Sequence, residues 1–483
     1  MAAGRPACAG GNGVVVTLAT SHGTDLFLAE LAQNLGTDVV VTDRDVVASY
    51  RHDQSRFTDS TDPVAVLMPR DTGQVSSMLA LAARFGVTIV PRGAGSGLSG
   101  AANASEGSVL LSLHRMNSIV EIDAGNRTVV VQPGVITADL RAAVSKVGLH
   151  YPPDPGSVDF CSIGGNIATN AGGMCCVKYG VTGDFVLALC VVMADGQVLR
   201  TGHTTVKGVA GYDLTSLFVG SEGTLGIITE ATLRLVPTPR AAHTLVASFP
   251  TLESAGRAVA SIVHAGLTPS MLEILDRTTI KAVDAMTRMG LGDGVEAMLL
   301  VQSDEPDARD VLGRIEQLST EAGASDTVIS DDAAEGEMLL EARRMALPAL
   351  EQLGDWLLDD VCVPRTRIVE LIAFIEEVAQ RHSLTIGVFG HAGDGNLHPT
   401  IIYDSNDAQS SASAVAAFNH ITEKALELGG TVTGEHGIGQ LKKSWLGREL
   451  GSVGVQVHHA VKEALDPAGI LNPLGVLPPR DSV

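Results

Sequence analysis

The chain has 483 residues, too many for one ordinary hydrophobic core and enough for two or three domains around a large ligand. Hydrophobic residues make up 45% and charged residues 18%, a globular balance, and no apolar run approaches the roughly 20 residues of a membrane-spanning helix. With 33 basic against 55 acidic side chains the formal charge is -22, which argues against nucleic acid as a partner and requires any anionic substrate to find a local cation, from Arg, Lys or a metal.

Residues 1–61 form an N-terminal segment that opens with one Arg, Gly-rich sequence and an apolar run at 14–18, too brief for a signal-peptide core, and it reads as a frayed cytoplasmic terminus. The six cysteines, Cys8, Cys161, Cys175, Cys176, Cys190 and Cys362, show neither a paired disulfide rhythm nor C-x-x-C spacing, so a reducing compartment is expected. From residue 62 the pattern is βαβ-like, with a strand at 65–68, a helix at 75–85 and a strand at 87–91. Closely spaced strands follow at 108–113, 119–123 and 128–132, then a helix at 137–147, a Gly-rich stretch at 156–173, and strands at 186–193 and 197–201 about the turn Asp195-Gly196. This half closes at 233–237. Beyond Arg240 the glycines thin out, and helical patterns at 252–264 and 308–322 alternate with strands such as 297–302. A final helix at 456–465 ends before Pro467. The expected division is therefore 62–240, 241–455 and a C-terminal helix and tail at 456–483.

Three glycine-rich loops stand out in the first half. Residues 91–100 read PRGAGSGLSG and satisfy the G-x-G-x-x-G pattern, but a Rossmann site needs a helix directly after the loop, and here only 101–107 precede the next strand. What survives is a tight loop of Arg92, Gly93, Ala94, Gly95, Ser96, Gly97, Ser99 and Gly100 whose bare amides can face a phosphate, with a plain turn between strands as the alternative. The second loop, PGSVDFCSIGGNIATNAGG, supplies Pro155, Gly156, Ser157, Ser162, Gly164, Gly165, Asn166, Thr169, Asn170 and Gly172. The third, VGSEGTLGIIT, supplies Glu222, Gly223, Gly226 and Ile228. Three such loops together suggest a large polyphosphate cofactor.

In the second half, FGHAGDGNLHP places His391 and His398 seven apart across a Gly-rich bend, so both can face one point if the bend folds back. An arbitrary pair of histidines more often fills core or surface roles than binds a metal. Glu435, in GEHGIG, would complete a two-His-one-carboxylate site with open positions, the arrangement of a catalytic metal.

With these motifs in this order, residues 50–475 resemble the FAD-linked oxidases of the vanillyl-alcohol oxidase and p-cresol methylhydroxylase type, in the branch of D-lactate dehydrogenase and the glycolate oxidase flavoprotein subunit. The resemblance implies an α+β fold: an FAD-binding domain of two α+β subdomains with an α+β substrate cap. It implies that residues 92–100 wrap the FAD pyrophosphate, that 162–170 lie along the ribityl chain and ring, and that 222–228 pack by the adenosine. Asn472, in ILNP, would return to the flavin. Covalent members carry a His in the first loop; none is present here, so the FAD is expected to be non-covalent. The resemblance further implies that His391, His398 and Glu435 bind one divalent metal, zinc or manganese, and that His436 accepts the hydroxyl proton. Arg343, in EARRMALPAL, would clamp the substrate carboxylate, with Arg344 the other candidate for the inward position. Asp394 and Asn396 would shape the metal surroundings or lie solvated.

The implied activity is oxidation of a small D-2-hydroxy acid, D-lactate or glycolate, by hydride transfer to FAD. Members acting on D-2-hydroxyglutarate carry a Lys shortly before the strand that ends in Pro364; here Trp356, Leu357 and Leu358 precede Asp359, and Thr400 stands where many members have Asn. The alternatives are that dicarboxylate activity, or a flavoprotein subunit of a glycolate oxidase complex. Electrons would leave to an external acceptor that no motif identifies, through which a cytoplasmic protein would meet the membrane periphery; homo-oligomerisation is left open.

Overall fold

The computed structural model describes residues 21–55, 57–291 and 294–480; the expected frayed start, the apolar run at 14–18 and Cys8 lie outside the described residues. The first sheet has the strand order Val40–Val41, Ala65–Leu67, Val109–Ser112, Ile89–Arg92, the last three parallel. Helix Thr72–Phe85 crosses from Ala65–Leu67 to Ile89–Arg92. It begins at Thr72 rather than at residue 75 because the Asp71 carboxylate accepts from Gln74 N at 2.9 Å, and it ends on left-handed Gly86. Strand Ile89–Arg92 runs directly into the first Gly-rich loop, and no helix intervenes before Val109–Ser112.

The second sheet is antiparallel, in the order Ile119–Asp123, Thr128–Val131, Ile227–Arg234, Val186–Val192, Val198–Gly202. Alternate residues Val129, Val131, Leu189, Val191, Ala231 and Leu233 turn to one face and pack on Tyr151, Ile163 and Phe185.

The third sheet, also antiparallel, runs Asp326–Ser330, His243–Phe249, Ala297–Ser303, Met271–Asp276, Thr385–His391, Asn396–Tyr403, Asp355–Leu358, with Val361–Cys362 also paired to Asn396–Tyr403. Leu272, Ile274, Val388 and Leu357 face helices Leu252–His264, Ala308–Glu321, Ile368–His382 and Ala408–Glu427 in one continuous core. The pleat sends their neighbours the other way, so Leu275, Phe389, Trp356 and Leu358 pack on helices Arg277–Thr287 and Ala346–Glu351. His391, His398 and Glu273 share that second face.

The α+β expectation is borne out, with three local differences. The second Gly-rich stretch contains a helix, Ile163–Thr169, that Ser162 caps. The C-terminal helix is Lys443–Leu465, starting well before residue 456, and it breaks at Gly451 (φ 67°, ψ 171°), where the glycines interrupt the apolar period. Helix Ser21–Leu35 lies inside the N-terminal segment. After the last helix the chain returns to the first sheet, where Ile89 N donates to Ile470 O at 2.8 Å and Asn472 N to Ile89 O at 2.9 Å.

Candidate active site

A cavity of about 460 Å³ opens between the Gly-rich loops and the second face of the third sheet. That is the size of a small-molecule or cofactor site, roughly 300–1,000 Å³. Residues 92–99, with Pro155, Gly156, Ser157, Gly164, Gly165, Asn166, Thr169, Glu222, Gly223, Gly226 and Ile228, form one wall. Arg343, Trp356, Leu358, Phe389, His391, His398, Glu435 and His436 form the other.

The first wall is made of backbone held at close quarters. Gly93 lies against Ser162 and Gly165, so that a Cβ would collide with Ser162 Oγ. Gly95, at φ 75°, lets the Arg92 guanidinium fold beneath the loop. Asp53, which the sequence pattern does not single out, also lines the cavity; it is 2% exposed, its Oδ2 has no hydrogen-bond partner among the described residues, and burial pushes its pKa up to about 6. Bare amides, close-set glycines and an orphaned carboxyl oxygen suit a polyphosphate cofactor with hydroxyl groups.

Five residues expected at the cofactor are not on the wall. Ser162 caps its helix by accepting from Gly165 N at 3.3 Å, and Asn170 ends that helix in the left-handed region while its Oδ1 accepts from Gly183 N at 2.8 Å. Gly100, at φ 78°, is packed on Thr58, and Gly172 backs onto Glu435. Asn472 Nδ2 donates to Ala101 O at 2.9 Å and Glu222 O at 2.8 Å, so it ties two wall loops together from behind. Glu222 reaches the wall, yet its oxygens accept from Ile438 N at 2.7 Å and Gly439 N at 2.9 Å, joining the first half to the GEHGIG loop.

On the opposite wall the bend at 392–395 does fold back. Strands Thr385–His391 and Asn396–Tyr403 pair antiparallel, with Phe389 opposite His398, and this brings the two imidazoles to 5.0 Å between ring centroids. His391 Nε2 lies 3.1 Å and His398 Nε2 3.2 Å from the same oxygen, Glu435 Oε1. His436 stacks on His398 at 5.0 Å with 9° between planes, its Nε2 3.7 Å from Glu435 Oε1. Behind the histidines stand two buried carboxylates: Glu273 Oε1 accepts from His391 Nδ1 at 2.8 Å, and Asp360 Oδ1 lies 3.5 Å from His398 Nδ1.

Asp360, His398, Glu435 and His436 also crowd together closely enough to bind a cation as a set. The hydrogen bonding of Asp360 argues against that set. Its Oδ2 accepts from Thr433 Oγ1 at 2.6 Å and from the backbone N–H groups of Gly434, Glu435 and His436 at 3.0, 2.9 and 2.8 Å, while Oδ1 accepts from Asn396 Nδ2 at 2.8 Å. Asp360 is thus saturated and shapes the GEHG loop, whereas His391 Nε2, His398 Nε2 and Glu435 Oε1 converge.

Charge in the site is finely divided. Burial opposes protonation of His391, but Glu273 and Glu435 overcome it and hold its pKa well above the ordinary value. Burial, with His436 and His391 beside it, takes His398 down to about 4 despite Glu435, which keeps this imidazole neutral and its lone pair available. Burial likewise lifts Asp394 to about 7. Arg343 is 6% exposed; its Nη2 lies 2.6 Å from Glu273 Oε2, although neither Nη2 nor Nε finds hydrogen-bond geometry. Arg344 is ion-paired with Glu337 at 3.1 Å and Glu341 at 2.8 Å. No motif marks Glu273 or Lys442, whose Nζ donates to Asp360 O at 2.9 Å and pairs with Asp359 at 2.6 Å.

Residues 63–202 match the model of an FAD binding domain, and residues 238–476 match the C-terminal domain of FAD linked oxidases. The glycolate oxidase subunit GlcD of Bacillus subtilis is 44% identical over 415 residues, 85% of this chain and 88% of the relative. The chain belongs to the FAD-linked oxidases. Within that family the D-lactate dehydrogenase of Anaerostipes hadrus is 36% identical, covering 90% of this chain and 94% of its own. The FAD-linked oxidase fold is shared with p-cresol methylhydroxylase (TM-score 0.78, 17% identity, 94% and 96% covered) and with the 4-ethylphenol oxidase of Gulosibacter chungangensis (TM-score 0.76, 20% identity, 95% and 98% covered). Among the described residues no helix is long and apolar enough to cross a membrane.

Proposed function

We propose that this chain oxidises a small D-2-hydroxy acid, D-lactate or glycolate, to the 2-oxo acid. The observation that carries the reading is the convergence of His391 Nε2 and His398 Nε2 on one oxygen of Glu435, across a cavity whose far wall is a glycine-rich cofactor cradle. The relatives named glycolate oxidase subunit and D-lactate dehydrogenase support the substrate class.

FAD, held without a covalent link along residues 92–99 and 164–169, supplies the hydride acceptor when bound. A divalent metal on His391, His398 and Glu435, zinc or manganese, lowers the pKa of the substrate hydroxyl when bound. The remaining work falls to side chains. His436 takes the hydroxyl proton on its ring; its backbone N–H, anchored on Asp360, and its stacking on His398 fix where that ring stands. Arg343 lines the cavity on the wall of the histidines, so its guanidinium can receive the substrate carboxylate. Trp356, Leu358 and Phe389 line the same wall, and Arg344 is turned to Glu337 and Glu341, so this wall offers a second carboxylate mostly apolar surface. Monocarboxylates are therefore favoured over D-2-hydroxyglutarate.

Electrons then pass to an external acceptor. The GlcD relatives are named as subunits, which favours a partner polypeptide in that role over direct reaction with a small acceptor. We place the protein in the cytoplasm, reaching the membrane periphery only through this acceptor. Turnover of the FAD-loaded protein with an artificial electron acceptor tests the reading: D-lactate or glycolate should be oxidised and D-2-hydroxyglutarate should not. Turnover of D-2-hydroxyglutarate alone would overturn the substrate class.

A further inference from the structure

We propose that Glu273 is a positioning residue that locks the proposed metal histidine and the proposed substrate-binding arginine to one another. The proposal rests on the reading above and concerns a residue outside it. Glu273 sits in strand Met271–Asp276, where the other five side chains follow the ordinary run of an apolar strand or a helix cap; Glu273 alone places a carboxylate, 0% exposed, on the cavity face. Its two oxygens face different parts of the site. Oε1 accepts from His391 Nδ1 at 2.8 Å, and Oε2 lies 2.6 Å from Arg343 Nη2.

Each contact has a distinct consequence. With Nδ1–H directed to Glu273, His391 turns Nε2 toward Glu435 and His398, where a metal would take the place of the Nε2 proton, and a carboxylate behind an imidazole raises its strength as a ligand. On the other side, the ion pair holds the Arg343 guanidinium over the Phe389 ring, 4.8 Å from its centroid. A free arginine side chain would have to be ordered as substrate arrives; this one is ordered in advance. One rigid carboxylate on a central strand of the sheet thus sets the distance between the place where the substrate carboxylate docks and the place where its hydroxyl is activated.

Two variants separate this bridging from ordinary core packing. In Glu273→Ala both contacts vanish, so zinc affinity, measured by competition with a chromophoric chelator, should fall about 10–100-fold, and KM for D-lactate should rise about tenfold. In Glu273→Gln the amide oxygen still accepts from His391 Nδ1 while the amide NH2 meets Arg343. Zinc affinity should then return to within about threefold of native while KM stays raised. That split between the two readouts is the expected result. Parallel loss of zinc affinity, substrate affinity and thermal stability in both variants would show a structural carboxylate, and native zinc affinity in Glu273→Ala would remove the proposal outright. His391→Ala is the control: if it also left zinc affinity untouched, the metal assignment itself would be at fault rather than the role of Glu273.

Discussion

The two walls of the cavity are built by opposite means. One is backbone: glycines brought so close that a single methyl group would meet Ser162 or the Arg92 guanidinium, with few charges of its own. The other is a set of ionisable side chains, each steadied by another buried group: His391 by Glu273, Arg343 by the same Glu273, and residues 433–436 by Asp360. A backbone wall recognises shape and phosphate, and it fails when atoms are added. A side-chain wall activates and moves protons, and it fails when charges are removed. The backbone wall comes from the first half of the chain and the side-chain wall from the second, so the tasks proposed for them should be separable by experiment.

The largest expected separation is metal removal. Thorough chelation should abolish turnover while the visible flavin spectrum stays intact, and zinc or manganese should restore activity; unchanged rates after chelation would sink the metal assignment. Next, His436→Ala should lower kcat by at least about 100-fold with FAD content and zinc affinity native, as loss of a general base requires. A fully active variant would remove His436 from the chemistry. On the other wall, Gly93→Ala should weaken FAD about tenfold, read from fluorescence on reconstitution, while zinc affinity does not move. If zinc affinity fell instead, the walls would not be independent.

The smallest effect concerns the charge held inside the second half. Asp276 caps helix Arg277–Thr287 through Thr279 N at 2.8 Å, and burial raises its carboxyl from 3.8 to about 6. Because the folded state binds this proton more tightly than the unfolded chain, the residue's contribution to stability is greatest below about pH 4 and declines as pH rises through 6. Asn keeps the capping acceptor without the charge. Asp276→Asn should therefore match the native protein near pH 4 and exceed it at pH 8 by at most about 3 kcal/mol, a rise of a few degrees in Tm. A gap that did not grow with pH would contradict the buried charge.

The same contrast between walls explains which parts of the site are legible in the sequence. The loops at 91–100, 155–173 and 219–229 stand out because glycine spacing is a local requirement of backbone geometry, and the absence of a helical pattern after Gly100 is enough to rule out a Rossmann site. The His391, His398 and Glu435 set is legible in residue type, and the hairpin then supplies the convergence. Glu273 is not legible, since its partners are 118 residues away at His391 and 70 away at Arg343, and an acid within MLEIL looks like an interrupted strand. Its one local signal is position: an acid in the middle of a buried strand that is apolar up to its terminal Asp276 needs a partner. Ser162 and Asn170 stand out because they sit among glycines, and Asn472 through the family resemblance; in the structure Ser162 caps a helix, Asn170 accepts from Gly183 N and Asn472 ties two loops.

The central claim, that the two walls meet to pass a hydride from a small 2-hydroxy acid to FAD, is tested most directly by anaerobic visible spectra of the FAD-loaded protein with D-lactate, glycolate, L-lactate and D-2-hydroxyglutarate added separately. The account predicts that the flavin bands bleach with D-lactate or glycolate and persist with the other two. Bands that persist with both D-lactate and glycolate, in protein shown to hold FAD and metal, would contradict it.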